Sequence, residues 1–253
     1  MAPAQIARTP GGGVAIFDIG RFSVELFGPK GEYLRKVQLE KPVVNPKGFA
    51  VLPDGAFLLT GGIRGEALAI HRFAPDGSLA GSWQPVATLR PAQVALYTAG
   101  GPITIAPGGE ILFSQAAPHR IVAFTPAGQL LHVIAADSVL LPRVGDEFVI
   151  REGSKRRFRW DFPQSRGIFR LEDGSVLNVI AKDEDGVSIW EVYGPDGHLV
   201  GRTQVARAYE PWGMTADGGI LASYRAGPLG PSTAVKLRVT IGHGSDPAHR
   251  DQP

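Results

Sequence analysis

Short apolar runs separated by turns of glycine and proline make up most of the chain. Runs such as GVAIFD at 13–18, ILFS at 111–114 and SVLNVI at 175–180 have the length and the β-branched content of strands. The 33 glycines and 21 prolines interrupt the apolar runs too often for long helices. The pattern therefore predicts an all-β protein.

The turns recur as an internal repeat of five units. Each unit has a first glycine-rich turn, at Pro10-Gly11-Gly12, Pro53-Asp54-Gly55, Pro107-Gly108-Gly109, Glu172-Asp173-Gly174 and Ala216-Asp217-Gly218. In four units a second turn follows, at Gly28-Pro29-Lys30-Gly31, Ala74-Pro75-Asp76-Gly77, Thr125-Pro126-Ala127-Gly128 and Gly194-Pro195-Asp196-Gly197. Proline presets φ at the first corner and glycine adopts the positive φ that closes the turn, so these turns join antiparallel strands.

The runs between the turns give each unit four strands in meander order, which is one blade of a β-propeller. In the first unit, three of these strands are predicted at 13–18, 22–27 and 33–39. The sequence predicts a single β-propeller domain over 1–242 and a disordered tail at 243–253. The units lie at about 5–40, 45–86, 100–137, 162–206 and 210–242, with an insertion at about 138–161.

An aromatic residue precedes the second turn in four units, as Phe27, Phe73, Phe124 and Tyr193. Since the position recurs with the repeat, we expect these rings to form the core between neighbouring blades.

The repeat resembles that of the NHL-like, six-bladed propeller proteins, in which proline, a spacer and glycine lead through an apolar run to Asp-Gly. The matching segments are Pro46-Lys47-Gly48 to Asp54-Gly55, Pro163 through Arg166-Gly167 to Asp173-Gly174, and Pro211-Trp212-Gly213 to Asp217-Gly218. The segment from Gly101-Pro102-Ile103 to Gly108-Gly109 departs by lacking the acid. The resemblance implies a propeller for about residues 5–242 but no particular activity, since such propellers serve as ligand-binding, protein-binding or catalytic platforms.

Five units are recognisable, whereas the proteins that the chain resembles usually close with six blades. The insertion can hold a degenerate pair of strands, at 147–151 and 157–160. Alternatively, the chain has lost an N-terminal blade and a signal peptide. We favour five blades plus an insertion.

Composition excludes several classes of protein. The chain has 253 residues, a formal net charge of +2 and no cysteine, so disulfides, thiolate nucleophiles and cysteine-ligated metals are excluded and an extended nucleic-acid interface is not expected. No apolar stretch is long enough to predict a membrane span. The first ten residues carry no signal peptide, which predicts a cytoplasmic protein as the chain stands and an extracytoplasmic one if the N-terminus is truncated.

A propeller commonly binds its ligands at the mouth of its axial channel, where loops from several blades meet. Polar residues after the second strand of each unit are therefore candidate channel or rim residues: Asp18, Arg21, Arg64, His119, Arg120, Asp183, Tyr224 and Arg225. The alternative is that they are solvated turn residues.

A basic run in the insertion is the strongest local charge signal. Lys155, Arg156, Arg157, Arg159 and Trp160 can form an anion-binding patch, because guanidinium groups match anions and an aromatic face can stack. The alternative is a soluble, charged loop.

No coherent catalytic set stands out, so the predicted function is a non-catalytic β-propeller module that binds a protein or a small polar ligand, without a cofactor. The alternative is a metal-dependent hydrolase or lactonase of the propeller type, which requires several of Asp18, Glu66, Asp183, Glu191, Glu210, Asn45, Asn178 and His119 around one ion such as Ca²⁺. His71, on an alternating strand, is predicted to be a hydrogen-bonded structural histidine rather than a general base.

Overall fold

The computed structural model describes residues 3–86, 98–115, 119–135, 149–152, 155–158, 164–181, 187–206, 209–215, 218–225 and 230–240. The chain divides into two compact units, a first unit of Met1–Arg207 and a second unit of Ala208–Pro253. Every element in the described ranges is a β-strand.

The first unit contains four sheets of four antiparallel strands, each in sequential order. Blade 1 consists of β1 (Pro3–Arg8), β2 (Val14–Asp18), β3 (Ser23–Phe27) and β4 (Tyr33–Gln38). Blade 2 consists of β5 (Val44–Val51), β6 (Phe57–Gly62), β7 (Leu68–Phe73) and β8 (Leu79–Pro85). Blade 3 consists of β9 (Ile103–Ile105), β10 (Ile111–Gln115), β11 (Arg120–Phe124) and β12 (Leu130–Ala135). Blade 4 consists of β15 (Gln164–Arg170), β16 (Val176–Ala181), β17 (Val187–Tyr193) and β18 (Leu199–Ala206).

Two further sheets complete the described fold. A hairpin of β13 (Val149–Glu152) and β14 (Lys155–Phe158) lies between blades 3 and 4 in the sequence. The second unit holds a fifth sheet, of β19 (Tyr209–Met214), β20 (Ile220–Arg225) and β21 (Ser232–Leu237). The predicted fold class is confirmed: the protein is all-β and has the propeller blade as its repeating element.

The predicted tight turns connect the first to the second strand and the third to the fourth strand of each blade. Their glycines have positive φ, for example +82° at Gly55 and +94° at Gly77. Where aspartate precedes the glycine, its carboxylate often accepts the backbone N–H two residues further on, as Asp54 does from Ala56 at 3.0 Å. The same bond forms at Asp76, Asp173 and Asp196. These turn acids therefore stabilise the fold locally.

Apolar side chains from adjacent blades form the core of the first unit. Phe17 and Val24 of blade 1 share a buried cluster with Phe57 and Leu59 of blade 2. The next residue along β6, Leu58, faces the other way and packs in a cluster with Ile111 and Phe113 of blade 3. Because successive side chains of a strand point to opposite faces, a strand buried on both sides shows a continuous apolar run.

The aromatic residues before the second turns are largely buried, as expected. Phe73, Phe124 and Tyr193 belong to the core, and only Phe27 is half-buried. Each of the four pairs directly with the first residue of its blade's second strand, as Phe73 does with Phe57.

The glycines of the second turns of blades 2, 3 and 4 lie against the preceding blade. A Cβ on Gly77 would stand 2.0 Å from the carbonyl oxygen of Gln38 at the end of β4. The equivalent glycines meet the outer strands of blades 2 and 3: Gly128 faces the ring of Trp83, and Gly197 faces the carbonyl of Ile134. The backbone N–H of Glu40 donates to the carbonyl of Gly77 at 2.9 Å. Glycine is thus required here for both its φ and its lack of a side chain.

We expect Gly77→Ala to destabilise the protein more than Gly31→Ala. Both residues have positive φ, at +94° and +81°, but nothing lies within 4 Å of a Cβ on Gly31. The φ penalty is about 1–2 kcal/mol in either variant. The clash with Gln38 should add roughly 1–3 kcal/mol in Gly77→Ala alone. Urea unfolding followed by tryptophan fluorescence measures both, and equal losses of unfolding free energy would contradict the close packing.

Candidate functional site

Antiparallel pairing places three parts of each blade at one end. The start of the first strand, the end of the second and the start of the third lie together, as Val44 pairs with Gly62 in blade 2. We call this the loop end of a blade, and the opposite end, with the tight glycine turns, the turn end. The first strands β1, β5, β9 and β15 lie next to one another in that order. The loop ends of blades 1–4 are therefore brought side by side within the first unit.

Three of the predicted site residues place a guanidinium at the loop end of three successive blades. Arg21 lies between β2 and β3, Arg64 between β6 and β7, and Arg120 at the first position of β11. Arg21 and Arg64 are exposed and Arg120 is half-buried. None of the three forms an ion pair with a described residue. Unpaired arginines repeated at one structural position are typical of a surface that meets anions.

The recurrence of this cation was missed in the sequence, although the signal is present there. A basic residue lies at or just after the end of the second strand in every unit, as Arg21, Arg64, Arg120, Lys182 and Arg225. Aligning the units by their turns is enough to find it.

The carboxylates at the loop end do not neutralise these arginines. Asp18, a predicted site residue, is fully buried, and its Oδ1 accepts the backbone N–H of Gly20 at 3.0 Å. It therefore holds the turn that carries Arg21. Glu66 lies in the same loop as Arg64, but its Oε1 accepts from Lys41 Nζ at 2.8 Å. This bond lowers the pKa of Glu66 and raises the pKa of Lys41.

A buried hydrogen-bond network lies directly behind the Arg64 loop. His71 is fully buried, and its Nε2 is 3.1 Å from the carbonyl oxygen of Gly61. Its Nδ1 is 2.8 Å from Ser82 Oγ, which is also 3.2 Å from Glu66 Oε2. Burial lowers the pKa of His71, although Gly61 and Glu66 oppose the shift. His71 is hydrogen-bonded, as predicted from the sequence, and links three strands to the loop.

The first strands carry a further pair of basic residues at β-bulges. In β15 the extra residue is Arg166, between Ser165 and Gly167, and it is exposed. In β5 the irregular stretch contains Lys47, which is half-buried. Both lie between the proline and the glycine of the sequence repeat. The β-bulge therefore falls at this spacer position and directs its side chain away from the regular strand pairing.

The remaining predicted site residues are a buried histidine next to Arg120, two residues of the second unit, and residues of which the structure describes only the backbone or nothing. His119 is buried beside Arg120. In the second unit, Tyr224 stacks on Tyr209 with ring centroids 4.9 Å apart, and Arg225 donates to Ser232 Oγ at 3.2 Å. Asp183, Arg159 and Trp160 lie outside the described residues. The predicted anion patch is described only in its backbone: Lys155, Arg156 and Arg157 belong to β14.

The candidate metal ligands that the structure describes have separate roles. Glu191 is fully buried, accepts from Arg202 Nη2 at 2.7 Å and from the Tyr193 hydroxyl at 2.7 Å. Asn178 Oδ1 accepts from Ser165 at 2.6 Å. Among the described residues, no group of three or more histidines and carboxylates is placed to hold a metal ion. In the same ranges, no helix is long and apolar enough to cross a membrane.

Solved structures of other proteins share this fold. Streptogramin B lyase is 14% identical, with a TM-score of 0.52 over 94% of this chain and 70% of that one. A catalytically inactive virginiamycin B lyase from Staphylococcus aureus, solved with quinupristin, is 15% identical, with a TM-score of 0.52 over 95% of this chain and 71% of that one. A nidogen/laminin complex matches with 15% identity and a TM-score of 0.53 over 88% of this chain and 73% of that one.

The matched proteins are β-propellers. Identities this low show the fold alone, and the fold is a β-propeller. No family model matches the sequence, and no curated protein matches it.

We expect the stability of the protein to fall as the pH drops below about 6.5, the ordinary pKa of histidine. The pKa of His71 is lowered in the folded state, so the unfolded state binds the proton first and is favoured by acid. Urea unfolding at pH 7.5 and 5.5 measures the loss. His71→Gln should lower stability at both pH values but reduce the difference between them. The same pH difference in His71→Gln would show that other groups cause it.

Proposed function

We propose that the protein is a non-catalytic β-propeller module that binds a negatively charged, polar ligand at the loop end of its first unit. The observation that carries the proposal is the set of three guanidiniums, Arg21, Arg64 and Arg120, one from each of three successive blades and none paired with a described carboxylate.

The position of the arginines supports binding rather than a structural role. Structural arginines in the same protein have partners: Arg202 bonds the buried Glu191, and Arg72 bonds Asp54 at 2.5 Å. The loop-end arginines have no such partner among the described residues, and two of them are exposed. The planar guanidinium presents several N–H donors in a fixed geometry, so it loses little entropy for each hydrogen bond that it forms with an anion.

The distribution of charge along the blades also favours a binding site at the loop end. In the described residues, exposed carboxylates at the turn end serve the turns, as at Asp54, Asp76, Asp173 and Asp196. The loop end carries Lys41, Lys47 and Arg166 besides the three arginines. The described cations of the loop end therefore favour the approach of an anion.

The matched structures are consistent with a ligand-binding role without defining it. One of them holds quinupristin on an inactive lyase and another is a protein complex. We propose a small polar ligand for this chain and treat an acidic protein as an outcome of the test. The NHL-like character of the repeat is likewise a proposal, supported by the proline, spacer and glycine segments. No described cluster supports the alternative of a metal-dependent hydrolase.

We expect the triple variant Arg21→Gln, Arg64→Gln, Arg120→Gln to lose affinity for a small polyanion. Inositol hexasulfate is the probe, since its charge stays constant with pH, and binding is measured by isothermal titration calorimetry at low salt. Three exposed ion pairs at up to about 1 kcal/mol each predict a loss of about tenfold or more.

The control is the triple variant Arg8→Gln, Lys30→Gln, Lys36→Gln, which removes the same charge from exposed residues away from the loop end. It should retain most of the affinity. Equal losses in the two variants would show that only net charge matters and would contradict a loop-end site. A hexaglutamate peptide that binds more tightly than the polysulfate would favour an acidic protein as the ligand.

A further inference from the structure

The hydroxyl of Ser82 lies between two acceptors and has one proton to give. Ser82 Oγ is 2.8 Å from His71 Nδ1 and 3.2 Å from Glu66 Oε2. Which acceptor receives the proton depends on the protonation state of His71, because an imidazole nitrogen either accepts or donates.

The carbonyl of Gly61 determines the tautomer of neutral His71. A carbonyl oxygen only accepts, so Nε2, at 3.1 Å, carries the proton and Nδ1 is left as an acceptor. Ser82 then donates to Nδ1 and nothing to Glu66. When His71 is protonated, Nδ1 becomes a donor to Ser82, and Ser82 turns its proton to Glu66. One added proton thus reverses one hydrogen bond and creates another.

Glu66 connects this change to the loop end. Protonated His71 places a positive charge 3.8 Å from Glu66 Oε2, while Oε1 of the same carboxylate holds Lys41. The Glu66 carboxylate then interacts with the imidazolium and the Ser82 hydroxyl as well as with Lys41, which weakens its ion pair with Lys41. The side chain of Lys41 is 43% exposed, and Glu66 is two residues from Arg64, so both cations face the solution beside the proposed anion site.

We propose that His71 is a proton switch that strengthens anion binding at the loop end by drawing Glu66 inward through Ser82 and freeing Lys41 for the ligand. This inference rests on the proposed function and adds its regulation.

The charged groups that face His71 are Glu66 and Lys41, which act in opposite directions: Glu66 raises the pKa of His71 and Lys41 lowers it, while burial lowers it most. The pKa of His71 therefore lies below the ordinary value of histidine, and protonation requires a more acidic solution than for a free imidazole. Since coupling between sites is reciprocal, a bound anion raises the pKa of His71 by the same free energy by which protonation tightens the anion.

The experiment measures the affinity for inositol hexasulfate at pH 7.5 and pH 5.5. A unit charge about 10 Å from an anion at the protein surface is worth roughly a two- to fivefold change, so the wild type should bind that much more tightly at pH 5.5. His71→Gln should keep its affinity at pH 7.5 and lose the pH effect. His132→Gln, at a half-exposed histidine paired with Glu110, should keep the pH effect.

Two further variants test whether Ser82 transmits the pH effect and whether another buried histidine causes it. Ser82→Ala is a small change that removes the bridge, and it should weaken the pH effect even if His71→Gln does not fold. His119→Gln examines the other buried histidine at the loop end, and loss of the pH effect there with retention in His71→Gln would overturn the proposal.

Histidine ¹⁵N NMR separates this inference from the proposed function. Without any ligand, the pKa of His71 should fall in Glu66→Gln and rise in Lys41→Gln, and neutral His71 should be the Nε2–H tautomer. A pKa of His71 that is unchanged in both variants would overturn the switch. If the wild type does not bind the polyanion at either pH, the proposed function fails, while these NMR results still decide whether the proton relay exists.

Discussion

Burial of both faces of the two middle strands of each blade is the constraint on which the first unit depends. Phe57 and Leu59 of β6 pack towards blade 1, and Leu58 between them packs towards blade 3. The hydrophobic energy of each blade is therefore realised only through its neighbours, as in other repeat architectures. A charged side chain in the middle of a strand is paired, as Glu191 is by Arg202 and Tyr193. Residues at the two ends of the blades can differ without loss of packing in the core.

The two ends of a blade differ because tight glycine turns join the strands at one end and other loops join them at the opposite end. The turn end is made of short turns whose geometry demands glycine and whose carboxylates are used by the backbone. The loop end has room for side chains that the fold does not need, and Arg21, Arg64 and Arg120 are such side chains. Behind Arg64, the hydrogen bonds of His71, Ser82 and Glu66 tie its loop to the buried strands, so this residue of the proposed site lies on an ordered loop.

The sequence was sufficient for the fold because the turns carry a physical requirement that recurs. Proline and glycine pairs at matched intervals predicted the meander blades, and the aromatic residue before each second turn proved to lie at or near the core. The site was predicted less well. Asp18 looked like a candidate ligand, but only the structure shows that it is buried and bonds Gly20. The Ser82 and Glu66 contacts of His71 join residues on different elements, and strand register, which sequence determines poorly, creates them.

The second-turn glycines of blades 2–4 also bear on how the protein folds during synthesis. Gly77 lies against the end of β4, and Arg35 of that strand donates to the carbonyl of Pro75 at 3.1 Å. Gly128 and Gly197 lie in the same way against blades that precede them in the chain. In each of these contacts, the glycine packs against a blade that lies earlier in the sequence. During synthesis, the preceding blade leaves the ribosome before the blade that packs against it. The first unit can therefore assemble during translation, one blade at a time.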